Sequence, residues 1–172
     1  MINTFTLRHL CFSGPQKKPA IVTFTDGLNI IYGPTNTGKS SILDAIDFML
    51  GRDSVPKELP QHKGYSDISL GIKFSNETEY TLTRSISGGD FKLYAGLHLE
   101  PVEELKYSVL KVKKRTVKIE SISNFLLQEI GLLDKKLKKN AKNAKKSLTL
   151  RNLLPMSATS TRKTLLFFQG NL

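Results

Sequence analysis

The sequence predicts an α/β fold: an antiparallel β-subsheet joined to one apolar strand, a glycine-bounded loop and an amphipathic helix. Three observations carry this prediction. Leu28-Asn29-Ile30-Ile31-Tyr32 is a short, mostly apolar run of strand length. From Lys39 to Leu50, apolar residues recur at Ile42, Leu43, Ile46, Met49 and Leu50, which is helical spacing, and Gly51 stops the run. Between residues 68 and 94 the apolar positions alternate, as in a half-buried antiparallel meander.

The elements follow in order. Thr4 to Leu10 alternates weakly and is expected to be a strand, followed by a loop with Gly14-Pro15 and Lys17-Lys18. Ala20 to Thr25 is a second strand, and Asp26-Gly27 signals a hairpin into the third, Leu28 to Tyr32. After the helix, residues 52–65 hold Pro56, Pro60 and Gly64 and form a loop. Ile68 to Phe74 and Tyr80 to Ile86 are strands, and Gly88-Gly89-Asp90 turns the chain into Phe91-Lys92-Leu93-Tyr94. Ile122, Phe125, Leu126, Ile130 and Leu133 share one face of a helix over Ser121–Leu133, capped by Ser121 or Ser123. The chain therefore divides into a domain over 1–133, a lysine-rich linker or loop over 134–147, and a partial or disordered tail over 148–172.

Gly33-Pro34-Thr35-Asn36-Thr37-Gly38-Lys39-Ser40 fits G-x-x-x-x-G-K-[ST] in full. Two glycines permit backbone angles that let successive N–H groups surround phosphate oxygens, and the helix that follows adds its positive end. A lysine at position seven reaches the β- and γ-phosphates, and the hydroxyl at position eight ligates Mg²⁺. Lys39 and Ser40 take these roles, so ATP and Mg²⁺ are the expected cofactors. Strand, loop and helix stand in the order the motif needs, which sets it apart from a chance glycine turn.

Charge is unevenly spread. Residues 1–105 carry 10 Lys+Arg and 12 Asp+Glu, whereas residues 106–172 carry 16 and 3, so the net +11 comes from the C-terminal part. Seven of the thirteen residues in Asp134–Lys146 are lysine. Such a distribution suits an anionic partner, nucleic acid first, or a solvated loop. One cysteine, Cys11, excludes an internal disulfide and a thiolate zinc cage and fits a reducing cytoplasm. No apolar run approaches membrane-spanning length, and the first residues lack the pattern of a signal peptide.

The run from Gly27 to Ile46 resembles the N-terminal ATPase lobe of SMC, RecF, RecN and double-strand-break-repair ABC ATPases. Asn36 stands at that family's asparagine position and Ser41 follows Ser40 as it does there. Lys63 to Ile68, Ile72-Lys73-Phe74, Tyr80-Thr81-Leu82-Thr83-Arg84 and Tyr94 resemble the family's meander, and residues 120–133 match it loosely. The resemblance implies half of a nucleotide-binding head. Gly33 to Gly38 would shape the cradle, Lys39 would neutralise phosphate charge, Ser40 would hold Mg²⁺, and Ser41 would contact the α-phosphate. A C-terminal lobe and a second head would complete the dimeric site, with ATP turnover coupled to DNA repair, recombination or defence.

The signature motif and the acidic strand of the other lobe are not found. Ile130 to Asp134 ends a helical pattern, with Lys135 where the catalytic glutamate belongs; Ser87-Gly88-Gly89 separates two strands instead of opening a helix. Phe168-Gln169-Gly170 resembles the family's glutamine loop, which makes Gln169 a weak catalytic candidate. Asn140-Ala141-Lys142-Asn143 is not the guanine-reading N-K-x-D. His9, His62 and His98 lack ligand spacing, Cys11 suits a buried site, and Arg52 falls where the SMC family can carry a trans-acting arginine. Arg8 and Lys17-Lys18 stay open as residues at the nucleotide's edge. Residues past Met156 lose the family's pattern, as a truncated or frameshifted product would. The expectation is ATP binding with little or no hydrolysis by this chain alone. The alternatives are a small P-loop kinase and a basic nucleic-acid-binding module without ATPase activity.

Overall fold

The structure, a computed structural model, describes residues 3–34, 37–57, 62–100, 104–112, 120–133, 135–138, 145–147, 158–160 and 164–169. Strands β1 (Phe5–Gly14) and β2 (Lys17–Thr23) form a tight antiparallel hairpin, and β1 continues the sheet on its other side with β4 (Asp67–Phe74). Strands β5 (Glu79–Ser85), β6 (Phe91–Ala95) and β7 (Ser108–Leu110) complete a six-stranded antiparallel sheet in the order β2-β1-β4-β5-β6-β7. The alternation of apolar residues in this region thus becomes the expected meander. β7 was not foreseen, because three residues are too few to show a period.

Leu10, Phe12, Ile68, Leu70, Ile72, Leu82 and Phe91 lie in one core with Ile46, Phe48 and Met49 of helix α1 (Lys39–Met49) and Ile122, Leu126 and Leu127 of α2 (Ile122–Glu129). Ser121 caps α2, its hydroxyl accepting from the Asn124 N–H at 3.2 Å. The helix ends earlier than its apolar pattern. It closes at Glu129, four residues short of the expected Leu133, and Gly131 follows with φ 76°, a left-handed angle that suits a helix stop.

The other sheet face carries small and polar residues: Ser69 bonds Thr83 at 3.2 Å, and both are buried. Gly71 is required there, because a Cβ would lie 2.3 Å from the His9 ring. Gly14 serves a similar close approach, its Cβ position lying 2.2 Å from the Gly64 carbonyl oxygen.

β3 (Gly27–Tyr32) departs from expectation. Asp26-Gly27 does make a turn, with Gly27 at φ 82°, but β2 and β3 do not pair as a hairpin. The Asn29 side chain takes the Thr25 backbone N–H and carbonyl, at 2.9 and 2.8 Å, which supplies partners for those groups within the turn itself. The Phe24 N–H goes to the Arg8 carbonyl at a bulge in β1, and the Arg8 guanidinium meets Asp26 at 3.1 Å. The chain thereby steps into a second sheet, ordered β10-β11-β3, with β10 at Ala158–Ser160 and β11 at Thr164–Gln169. The segment expected as a partial or disordered tail therefore supplies the neighbour of the phosphate-loop strand. In the segment expected as a lysine-rich linker or loop, β8 (Lys136–Lys138) and β9 (Lys145–Ser147) pair antiparallel.

Candidate nucleotide-binding site

β3 delivers the chain to Gly33, and α1 leaves the loop at Lys39. Gly38 occupies the N-cap position at φ 85°, in the left-handed region where a side chain is strained. No side chain caps α1, and its first turn holds no acidic residue. The first N–H groups of a helix have no intrahelical partner, so this terminus suits an anion.

Lys39 is buried, with 7% of its surface exposed, and its ammonium sits inside the loop. It donates to the Gly33 and Pro34 carbonyls at 3.0 and 2.5 Å and to Thr37 Oγ1 at 3.3 Å. Thr37 in turn donates to the Pro34 carbonyl at 2.9 Å. The Ser41 hydroxyl donates to the Gly38 carbonyl at 2.5 Å, which ties it to the loop backbone. Ser40 is exposed at the head of the helix. Thr35 and Asn36 lie outside the described residues.

The donor set fits a Mg²⁺–nucleotide. An ammonium at the loop's centre, an uncapped helix end and an exposed hydroxyl are the groups that phosphates and their metal use. Among the described residues no group of three His, Cys, Asp or Glu side chains forms a metal site, and Ser40 is the residue whose hydroxyl would hold the cation.

The remaining candidates lie elsewhere. Gln169 closes β11, opposite Gly27, while Thr164 stands opposite Tyr32. This antiparallel register places Gln169 at the end of the strand away from the phosphate loop, about 20 Å from Gly33 at strand rise. It is not brought to the site, because the register runs counter to what a glutamine loop beside the phosphates requires. Arg52, just past the end of α1, forms ion pairs with Asp44 at 2.7 Å and Asp47 at 3.4 Å of that helix, which occupies the charge a trans-acting arginine would offer. Lys17 donates to the Lys63 carbonyl and lies over the Tyr65 ring, and the Lys18 carbonyl accepts from Tyr65.

The Cys11 side chain is buried, and that burial pushes its thiol up to about 11, which disfavours the thiolate. His9 bonds the His98 carbonyl at 3.0 Å, and burial holds its pKa below the usual histidine value. His62 stacks on Phe12. Gly88-Gly89 joins β5 to β6 as the hairpin reading required. Asp134 lies outside the described residues.

One structurally engaged residue was named in the sequence only through the family pattern. Arg84 is 3% exposed and bonds three carbonyls, of Phe48, Arg52 and Gly89. Burial draws its pKa down to about 10, opposed by Asp53 and Asp90, so it stays charged at neutral pH. The signal was available: Tyr80, Leu82 and Arg84 share strand parity, so an arginine stood on an apolar face.

Among the described residues no helix is long and apolar enough to cross a membrane. No curated protein and no solved structure matches the chain. The family model for an AAA domain, AAA_23, matches residues 10–169. It describes a P-loop-type domain found in SMC-like proteins. With nearly the whole chain matched, and with the phosphate loop set between β3 and α1, this protein belongs to the AAA_23 family of AAA domains.

Proposed function

We propose that this chain is the ATP-binding N-terminal lobe of an SMC/RecF-like ATPase head, whose complete form couples ATP turnover to DNA repair, recombination or defence. The observation that carries the proposal is the Lys39 ammonium inside a loop that connects β3 to an uncapped helix. Family membership supports nucleotide binding, and the antiparallel meander beside the loop supports the SMC/RecF-like branch.

On this reading, Lys39 exchanges its carbonyl partners for β- and γ-phosphate oxygens. Ser40 offers its hydroxyl to Mg²⁺, which supplies charge neutralisation between the phosphates. Ser41 holds the loop through the Gly38 carbonyl, and α1 turns its positive end to the phosphates. The sequence contains no Asp-Glu acidic strand and no signature motif, so nothing assigned here orients the attacking water. The chain then binds ATP without turning it over. A complementary lobe, a second head, DNA and a cytoplasmic setting complete the proposal.

The test is binding of fluorescent ATP with Mg²⁺ by wild type and Lys39→Ala, with phosphate release followed in the same tube. The expected result is wild-type binding, at least a tenfold weaker variant, or about 1.4 kcal/mol, and no phosphate release. Lys39-dependent turnover would show a complete small enzyme instead. Salt-sensitive DNA binding without ATP binding would favour the basic nucleic-acid-binding module.

A further inference from the structure

α1 has Lys39 and Ser40 in its first turn and no basic residue in its last. Its C-terminal carbonyls therefore lack the local cation that commonly meets a helix end. The cation comes from another element. Arg84 of β5 donates through Nη1 to the Phe48 carbonyl at 3.0 Å and the Arg52 carbonyl at 2.9 Å. Its Nε donates to the Gly89 carbonyl at 2.9 Å, in the connection to β6. The guanidinium lies 3.8 Å from the Phe48 ring centre and 4.6 Å from that of Phe91. One side chain thus locks the far end of the helix to the sheet. Bonds and stacking both favour the planar guanidinium over a lysine ammonium.

We propose that Arg84 is a positioning residue for nucleotide capture: by holding the C-terminal end of α1 against β5, it sets where the helix presents Lys39 and Ser40. The inference rests on the nucleotide-binding reading above. An eleven-residue helix is a rod about 16 Å long. A shift or tilt at its held end is carried to the phosphate loop, where small misplacements weaken oriented contacts. Ser69, buried on the other sheet face and bonded to Thr83, has no bond to α1 and serves as a control.

The experiment compares full-length wild type, Arg84→Met, Arg84→Lys and Ser69→Ala below their melting temperatures. Fluorescent ATP with Mg²⁺ is titrated, and amide hydrogen exchange is followed over residues 39–52. Arg84→Met keeps an unbranched chain between the two rings but donates no bond. It is expected to exchange faster at 48–52 and to bind nucleotide about tenfold more weakly. Arg84→Lys, with one donor group, is expected to fall between it and wild type, while Ser69→Ala binds as wild type. A folded Arg84→Met that binds as wild type overturns the proposal, as does an equal loss of binding in Ser69→Ala. If Arg84→Met does not fold, Arg84→Lys decides, and wild-type affinity there overturns it. A wild type that binds no nucleotide sinks the nucleotide reading and this role with it. Wild-type binding with indifference to Arg84 sinks the positioning role alone.

Discussion

Lys39 shows how one side chain shapes the chemistry of a loop. Its ammonium already has two carbonyl partners, so a nucleotide gains only the difference between phosphate and carbonyl contacts. A ligand bearing β- and γ-phosphates compensates with full charges; a neutral one has nothing to trade. At the same scale, His9 and Gly71 make a fixed fit across β1 and β4. Gly71→Ala forces the His9 ring to move within a packed face, and we expect a loss of about 1–3 kcal/mol, read as a lowered urea midpoint with an unchanged slope. A variant as stable as wild type would show that the ring swings freely. The sequence carried Lys39 openly, since its motif is local. It did not carry the need for Gly71, because that need arises from a residue more than sixty positions away.

At the scale of elements, the helices and the meander were legible because their patterns are periodic. Leu126 and Phe125 share the α2 core face, as their spacing required. Ser121 is the cap, and Ser121→Ala is expected to cost about 1 kcal/mol, seen as a lower melting temperature. No change would mean that another acceptor takes the Asn124 N–H. The hairpin at Asp26-Gly27 was misread for a physical reason: a turn dipeptide specifies a local reversal and not the pairing of its flanks. Asn29, which takes the Thr25 backbone groups, decides the turn's form here. The place of Gln169 was illegible for a related reason. Its motif is three residues long, while its distance from the phosphates depends on strand direction.

For the whole molecule, the face of β3 matters most. Leu28, Ile30 and Tyr32 are 54, 55 and 82% exposed, on the strand that leads into the phosphate loop. An apolar stripe of this kind favours association. We expect wild type to self-associate at micromolar concentration, and Ile30→Lys to raise the monomer fraction in analytical ultracentrifugation while the melting temperature changes little. A fully monomeric wild type would count against this expectation. The antiparallel subsheet was legible in its strands, but the second sheet was not, because β3 and β11 stand more than 130 residues apart and share no motif.

That separation has a kinetic consequence. Strands β1, β2 and β4 to β6 pair among themselves within the first 95 residues, all made early in synthesis. β3 meets its described neighbour only after Gln169 has been made. During translation the meander is therefore able to assemble first, while the strand feeding the phosphate loop keeps an unpaired edge. Until β11 arrives, that edge is open to pairing with another nascent chain.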